Sequence, residues 1–114
     1  MSVAISETFF SVSVRDMDQA TAFYVGALGA TVAFASPDWS SLRIAGVRIG
    51  LARSAEHTGE RTGIHFAVSN LAEAHAEVER AGGRVVQGAV EVAPGVVISE
   101  ARDTEGNTFV LTQR

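Results

Sequence analysis

Apolar and polar positions alternate at the start of the chain. Phe10, Val12 and Val14 are interleaved with Ser11 and Ser13, the period of two that gives a strand one apolar and one polar face. A strand is therefore expected over 9–14. The period then lengthens. Met17, Ala20, Phe23/Tyr24 and Ala27/Leu28 recur at helical spacing, which predicts a helix over 17–28 with Asp16 as its N-cap and Gly29 as a left-handed C-cap. Extended segments follow at 30–35, 39–45 and 47–53, separated by Ser36-Pro37-Asp38 and by Gly46. Residues 54–62 are polar and aperiodic, and read as a linker. The order then repeats. A strand over 63–68 puts Ile64, Phe66 and Val68 on one face. A helix over 71–81 is capped by Asn70 and ended by Gly82-Gly83. Strands at 84–87, 96–102 and 108–112 complete the pattern, with a turn at 103–107.

The two halves also match residue by residue. A shift of 54 positions pairs Val14 with Val68, Ala20 with Ala74, Ala22 with Ala76, Ala27 with Ala81, Gly29 with Gly83 and Val32 with Val86. The same shift lays the cap Asp16 on the cap Asn70. This predicts an internal duplication: one α+β domain, 1–114, made of βαβββ unit 9–53 and βαβββ unit 63–113 joined by linker 54–62.

Composition narrows the class. The chain is 46% hydrophobic and 19% charged, so it can bury a core. Cysteine is absent, which removes disulfides, thiolate metal sites and a cysteine nucleophile. No apolar run approaches the ~20 residues that span a bilayer, and MSVAISETFF lacks the features of a signal peptide, so a cytoplasmic protein with no membrane partner is expected. A net charge of −4 gives no reason to expect nucleic acid.

Several phrases resemble the vicinal oxygen chelate superfamily, which holds the glyoxalases, the bleomycin resistance proteins and the extradiol dioxygenases. They are Ser11-Val12-Ser13-Val14-Arg15-Asp16-Met17 with Ala22-Phe23-Tyr24 and Leu28-Gly29, then Phe66-Ala67-Val68-Ser69-Asn70-Leu71 with Ala81-Gly82-Gly83, and finally Asp103-Thr104-Glu105-Gly106-Asn107. In the last, Thr104 stands where the family usually has proline. The resemblance implies two curled half-barrel sheets with helices outside. It implies a homodimer with a cavity between units, and the exposed edges of a lone curled sheet give a physical reason for one.

The resemblance also reserves four places for His, Gln or Glu ligands to a divalent metal. Here they fall on Phe9, Gly50, Gly63 and Val110, none of which ligates through its side chain. No metal and no cofactor are therefore expected. Phenylalanine and glycine at these places predict an apolar wall with spare volume, suited to a bulky organic ligand.

Other candidates surround these places. His65 shares a strand face with Gly63, Ser11, Ser13 and Ala67 contribute small residues, and His65 reads as a buried general base, a ligand partner or a cavity histidine held by the backbone. Arg43 and Arg48 flank Gly46 and read either as anion ligands or as solvated residues. Glu100 and Arg102 either pair across the cavity or face water. Trp39 stacks on a planar ligand or covers the core edge or a dimer seam. His57 and His75 read as surface residues. The glycines at 26–29 end a helix rather than start one, which excludes a phosphate loop.

The reading is a metal-free binding protein, holding a hydrophobic or aromatic metabolite in a cavity at a homodimer interface. The alternative is a metal-free isomerase, lyase or cyclase using His65 for acid–base chemistry.

Overall fold

The computed structural model describes residues 1–114. In chain order the elements are β1 (Phe10–Val14), α1 (Met17–Leu28), β2 (Thr31–Phe34), β3 (Trp39–Ile44), β4 (Val47–Arg53), β5 (Arg61–Ala67), α2 (Leu71–Arg80), β6 (Arg84–Ala93), β7 (Val96–Arg102) and β8 (Thr108–Gln113). They form two four-stranded sheets of the same order, β1-β4-β3-β2 and β5-β8-β7-β6. In each, the first strand lies parallel to the last and the other pairs are antiparallel. Neither sheet closes into a barrel, and the two βαβββ units are as the sequence predicts. No helix is long and apolar enough to cross a membrane.

The two helices start by the same device. Asp16 Oδ1 accepts from Gln19 N at 3.0 Å, and Asn70 Oδ1 accepts from Glu73 N at 3.0 Å, each satisfying an N–H that the first turn leaves free. They end differently. Gly29 takes the left-handed conformation at φ 68°. In the second unit the positive φ falls on Gly82, not on Gly83, the residue matched by sequence. Gly83 is small for another reason: a Cβ there would collide with the Arg102 carbonyl and meet Phe23 at 2.6 Å.

One apolar core serves both units. Val12, Val14, Phe23, Tyr24, Leu42, Ile49 and Leu51 from the first cluster with Ile64, Val78, Ala101, Phe109 and Leu111 from the second. Phe23 and Phe109 join the two halves at 6.2 Å between ring centroids. A buried polar knot reinforces this junction. Tyr24 Oη donates to Asp103 Oδ2 at 2.5 Å. Asn107 Nδ2 donates to Asp103 Oδ2 and to the Ser13 carbonyl, at 3.1 and 2.9 Å. The Glu105 carboxylate accepts from the amides of Arg15 and Asp16, and Glu60 Oε1 accepts from Ser13 N. Residues 103–107 of the second unit thus cover the end of β1.

Three sequence expectations are corrected. The strand expected at 84–87 runs on to Ala93. Its pairing with β7 is broken by register shifts, and Gly88, Ala89 and Glu91 hide its period of two. The linker ends at Glu60, because Arg61 already pairs with Thr108. His57 is buried, with its amide on the Ser54 carbonyl, and His75 is half-buried with Nε2 2.7 Å from Ser99 Oγ. A linker histidine and a helix-flank histidine both carry apolar ring surface, and the period alone does not say which loop folds back over it.

Candidate functional site

Each sheet turns one face to its helix and leaves the other open. In the first sheet Val12, Leu42, Ile49 and Leu51 face α1. The register therefore puts Ser11, Gly50 and Ser41 in one row of the open face, and Ser13, Ala52 and Trp39 in the next. Phe9 stands at the mouth of this face. Its ring lies edge-on to Trp39 at 6.3 Å between centroids, and the Arg48 guanidinium carbon stacks 3.9 Å from its centre. Arg48 is fixed from the other side by Glu7, through two hydrogen bonds at 2.8 and 3.1 Å. Arg43 lies directly opposite Arg48 and stays exposed.

Gly50 does not leave spare volume. The Trp39 indole lies over it so closely that a Cβ at position 50 would collide with the ring. Trp39 stands on the open face, half-buried against Gly50 and Phe9.

The second sheet has an equivalent open face. Leu111, Phe109, Ala101 and Ile64 face the core. His65, Val110, Glu100 and Gln87 form one row of the open face, and Arg61, Thr108, Arg102 and Arg84 form the adjacent row. Arg61 reaches across β8 to Glu100 at 2.6 Å. That ion pair spans the strand that carries Val110, which is buried. Arg61, helped by Arg102, holds the Glu100 carboxyl below the usual carboxylate range.

Two expectations about this face change. Gly63 is not an ordinary strand residue. It takes φ 73° inside a register shift between Arg61 and His65, so glycine is needed there for the bulge. His65 keeps the predicted face, opposite Val110, but in the single chain its ring is exposed rather than buried. It makes no side-chain hydrogen bond.

The twelve candidates thus fall into two clusters. Phe9, Ser11, Ser13, Trp39, Arg43, Arg48 and Gly50 share the first open face, and Gly63, His65, Glu100, Arg102 and Val110 share the second. Gly63 and His65 also border a groove of about 650 Å³ between the units, walled by Phe10, Ile44, Ile49 and the α2 face at Ala74. Sequence reasoning missed Arg61 and Arg84, because one was assigned to the linker and the other to a strand whose face was not worked out. The register of β5 with β8, and of β6 with β7, supplies that signal.

The four metal-ligand places do not fit a divalent ion. Phe9, Gly50, Gly63 and Val110 bring no donor, Trp39 covers Gly50, and no three His, Asp or Glu side chains converge elsewhere.

Repeated units with open faces define the class of glyoxalase and bleomycin-resistance folds, and the comparisons agree. The crystal structure of a fosfomycin resistance protein from Listeria monocytogenes matches at TM-score 0.81 and 18% identity, covering 98% of this chain and 95% of that one. A glyoxalase/bleomycin resistance protein/dioxygenase family enzyme from Burkholderia phytofirmans matches at TM-score 0.79 and 18% identity, covering 92% and 95%. The bleomycin-binding protein of Streptomyces verticillus, crystallised with copper(II)-bleomycin, matches at TM-score 0.69 and 20% identity, covering 99% of each. At these identities the likeness establishes the fold. No curated protein matches in sequence. The family model described as Glyoxalase-like domain matches residues 9–112, and the chain belongs to that family.

Proposed function

We propose that this chain is a small-molecule-binding protein of the glyoxalase/bleomycin-resistance superfamily that works without the metal site. It holds a hydrophobic or aromatic metabolite in a cavity made where two copies meet. The observation that carries this reading is the filling of a former ligand place by an indole, Trp39 over Gly50, while an Arg61–Glu100 ion pair bridges the strand that carries the buried Val110. A wall built from an indole, a phenyl ring and small serines suits an apolar body. The need for a second copy is supported by the exposed apolar side chains Phe34 and Val92, each more than half accessible, by Phe9 beside Trp39, and by Phe10 at the groove between the units. β1, β2, β5 and β6 are all sheet edges, with backbone groups free to meet a partner.

Light scattering tests the assembly. Twice the 12.0 kDa chain mass is expected at micromolar concentration, and a stable monomer overturns the interface cavity. Calorimetric titration with Mn²⁺, Ni²⁺ and Zn²⁺ tests the site. No stoichiometric binding is expected, and one tightly held ion per chain overturns the metal-free reading.

A further inference from the structure

All nine basic residues of this chain are arginine. Although the net charge is −4, five of the nine stand on the two open faces: Arg43, Arg48, Arg61, Arg84 and Arg102. Two carboxylates meet them there, Glu7 on Arg48 and Glu100 on Arg61. Arg43, Arg84 and Arg102 make no ion pair and remain exposed. The open faces are therefore positive on a negative protein.

The register makes the arrangement specific. Arg84 is the direct cross-strand partner of Arg102, and Arg43 is the direct partner of Arg48. Like charges placed opposite one another weaken a sheet, whereas a bound anion between them reverses the sign. Arg48 already has Glu7, but the Arg84–Arg102 pair has no carboxylate between its members. Arg84 and Arg102 also continue one row with Thr108 and Arg61 across all four strands of the second sheet. Guanidinium groups present planar donor forks that match carboxylate, sulfonate and phosphoryl oxygens.

We infer that the ligand of this site is an organic oxyanion, its charged end held between Arg84 and Arg102 and its apolar body against the aromatic wall. This rests on the proposed function, because it assigns the ligand class of the same cavity. The solvated-arginine reading does not account for the opposed pair or for the concentration of positive charge on the open faces.

The test uses two dyes of similar shape, one anionic and one neutral: 1-anilinonaphthalene-8-sulfonate, an aromatic sulfonate, and N-phenyl-1-naphthylamine, its uncharged counterpart. Fluorescence titration of the full chain is expected to show both dyes binding. Arg84→Gln and Arg102→Gln should each weaken the sulfonate by about tenfold, the loss of one charge-assisted contact, and leave the neutral dye within about twofold. Added salt should weaken the sulfonate selectively, and Arg114→Gln should change neither dye. If both dyes bind but the two variants leave sulfonate affinity unchanged, or lose both dyes equally, the oxyanion assignment is overturned and the proposed function stands. If neither dye binds, both fall.

Discussion

The Tyr24 hydroxyl donates to Asp103 across 79 positions of sequence, at 2.5 Å and out of contact with water. This bond ties the helix of the first unit to the last turn of the second. Burial, and then the nearby Asp103 carboxylate, raise the Tyr24 phenol well above its ordinary range.

Tyr24→Phe should lower unfolding free energy by about 1–2 kcal/mol at neutral pH, because Asp103 loses one donor while Asn107 still serves it. The pH dependence has a definite sign. The folded phenol keeps a proton that the unfolded one loses above about pH 10. The stability this provides is therefore complete below that pH and declines as pH rises toward the folded value. Denaturant melts should show the parent weakening above pH 10 and Tyr24→Phe weakening less. Parallel curves would show that the phenol is not buried.

Gly50→Ala should be costly although alanine suits a strand. Its methyl collides with the Trp39 indole, and overpacking of this kind costs about 1–3 kcal/mol. The tryptophan emission should shift to the red as the ring is displaced. Adding Trp39→Leu to Gly50→Ala should restore part of the loss, a coupling measured by a double-mutant cycle. Additive losses would place the indole elsewhere.

Asn107→Ala should be among the most damaging polar substitutions. Its side chain donates to Ser13 O and Asp103 and accepts from Glu60 N, and it is fully buried. Groups left unpaired there cost about 2–3 kcal/mol. A drop in melting temperature reports this directly.

His65→Ala should leave stability within about 0.5 kcal/mol, since the exposed ring supports nothing in the single chain. Naphthylamine affinity should fall several-fold if the ring lines the cavity of the assembled protein. An unchanged affinity would remove His65 from the site.

The two units were legible because their signals are local. Alternation in 10–14, helical spacing in 17–28 and the caps Asp16 and Asn70 depend on neighbours within a few positions, and the structure keeps all of them. What escaped reading depends on distant partners. Nothing near Gly50 announces that Trp39 lies on it, since β3 and β4 must pair first. Arg61 read as linker because the left-handed bulge at Gly63 interrupts the alternation that would have extended β5. His75 read as a surface residue for the same reason, since its partner Ser99 lies 24 positions on, in β7; the burial of the His57 ring is not foretold by its near neighbours either, whose bond to it is the Ser54 carbonyl on its amide. The arginines show both limits, for Arg43 and Arg48 are visible beside Gly46 while the Arg84–Arg102 opposition exists only in the register.

The knot at residues 103–107 also bears on how the chain comes to be folded. Helix α1 leaves the ribosome long before Asp103 and Asn107 do, so Tyr24 and the Ser13 carbonyl wait without partners until that turn is made. The first unit is therefore unfinished until residues 103–107 of the second have been made. Its core shares Phe109 and Leu111 with the final strand, so the halves, for all their repetition, are not two successive folding events. Heat or denaturant should melt them in one transition. A chain cut after Arg102 should lose the order of the first unit together with that of the second, since residues 103–111 serve both.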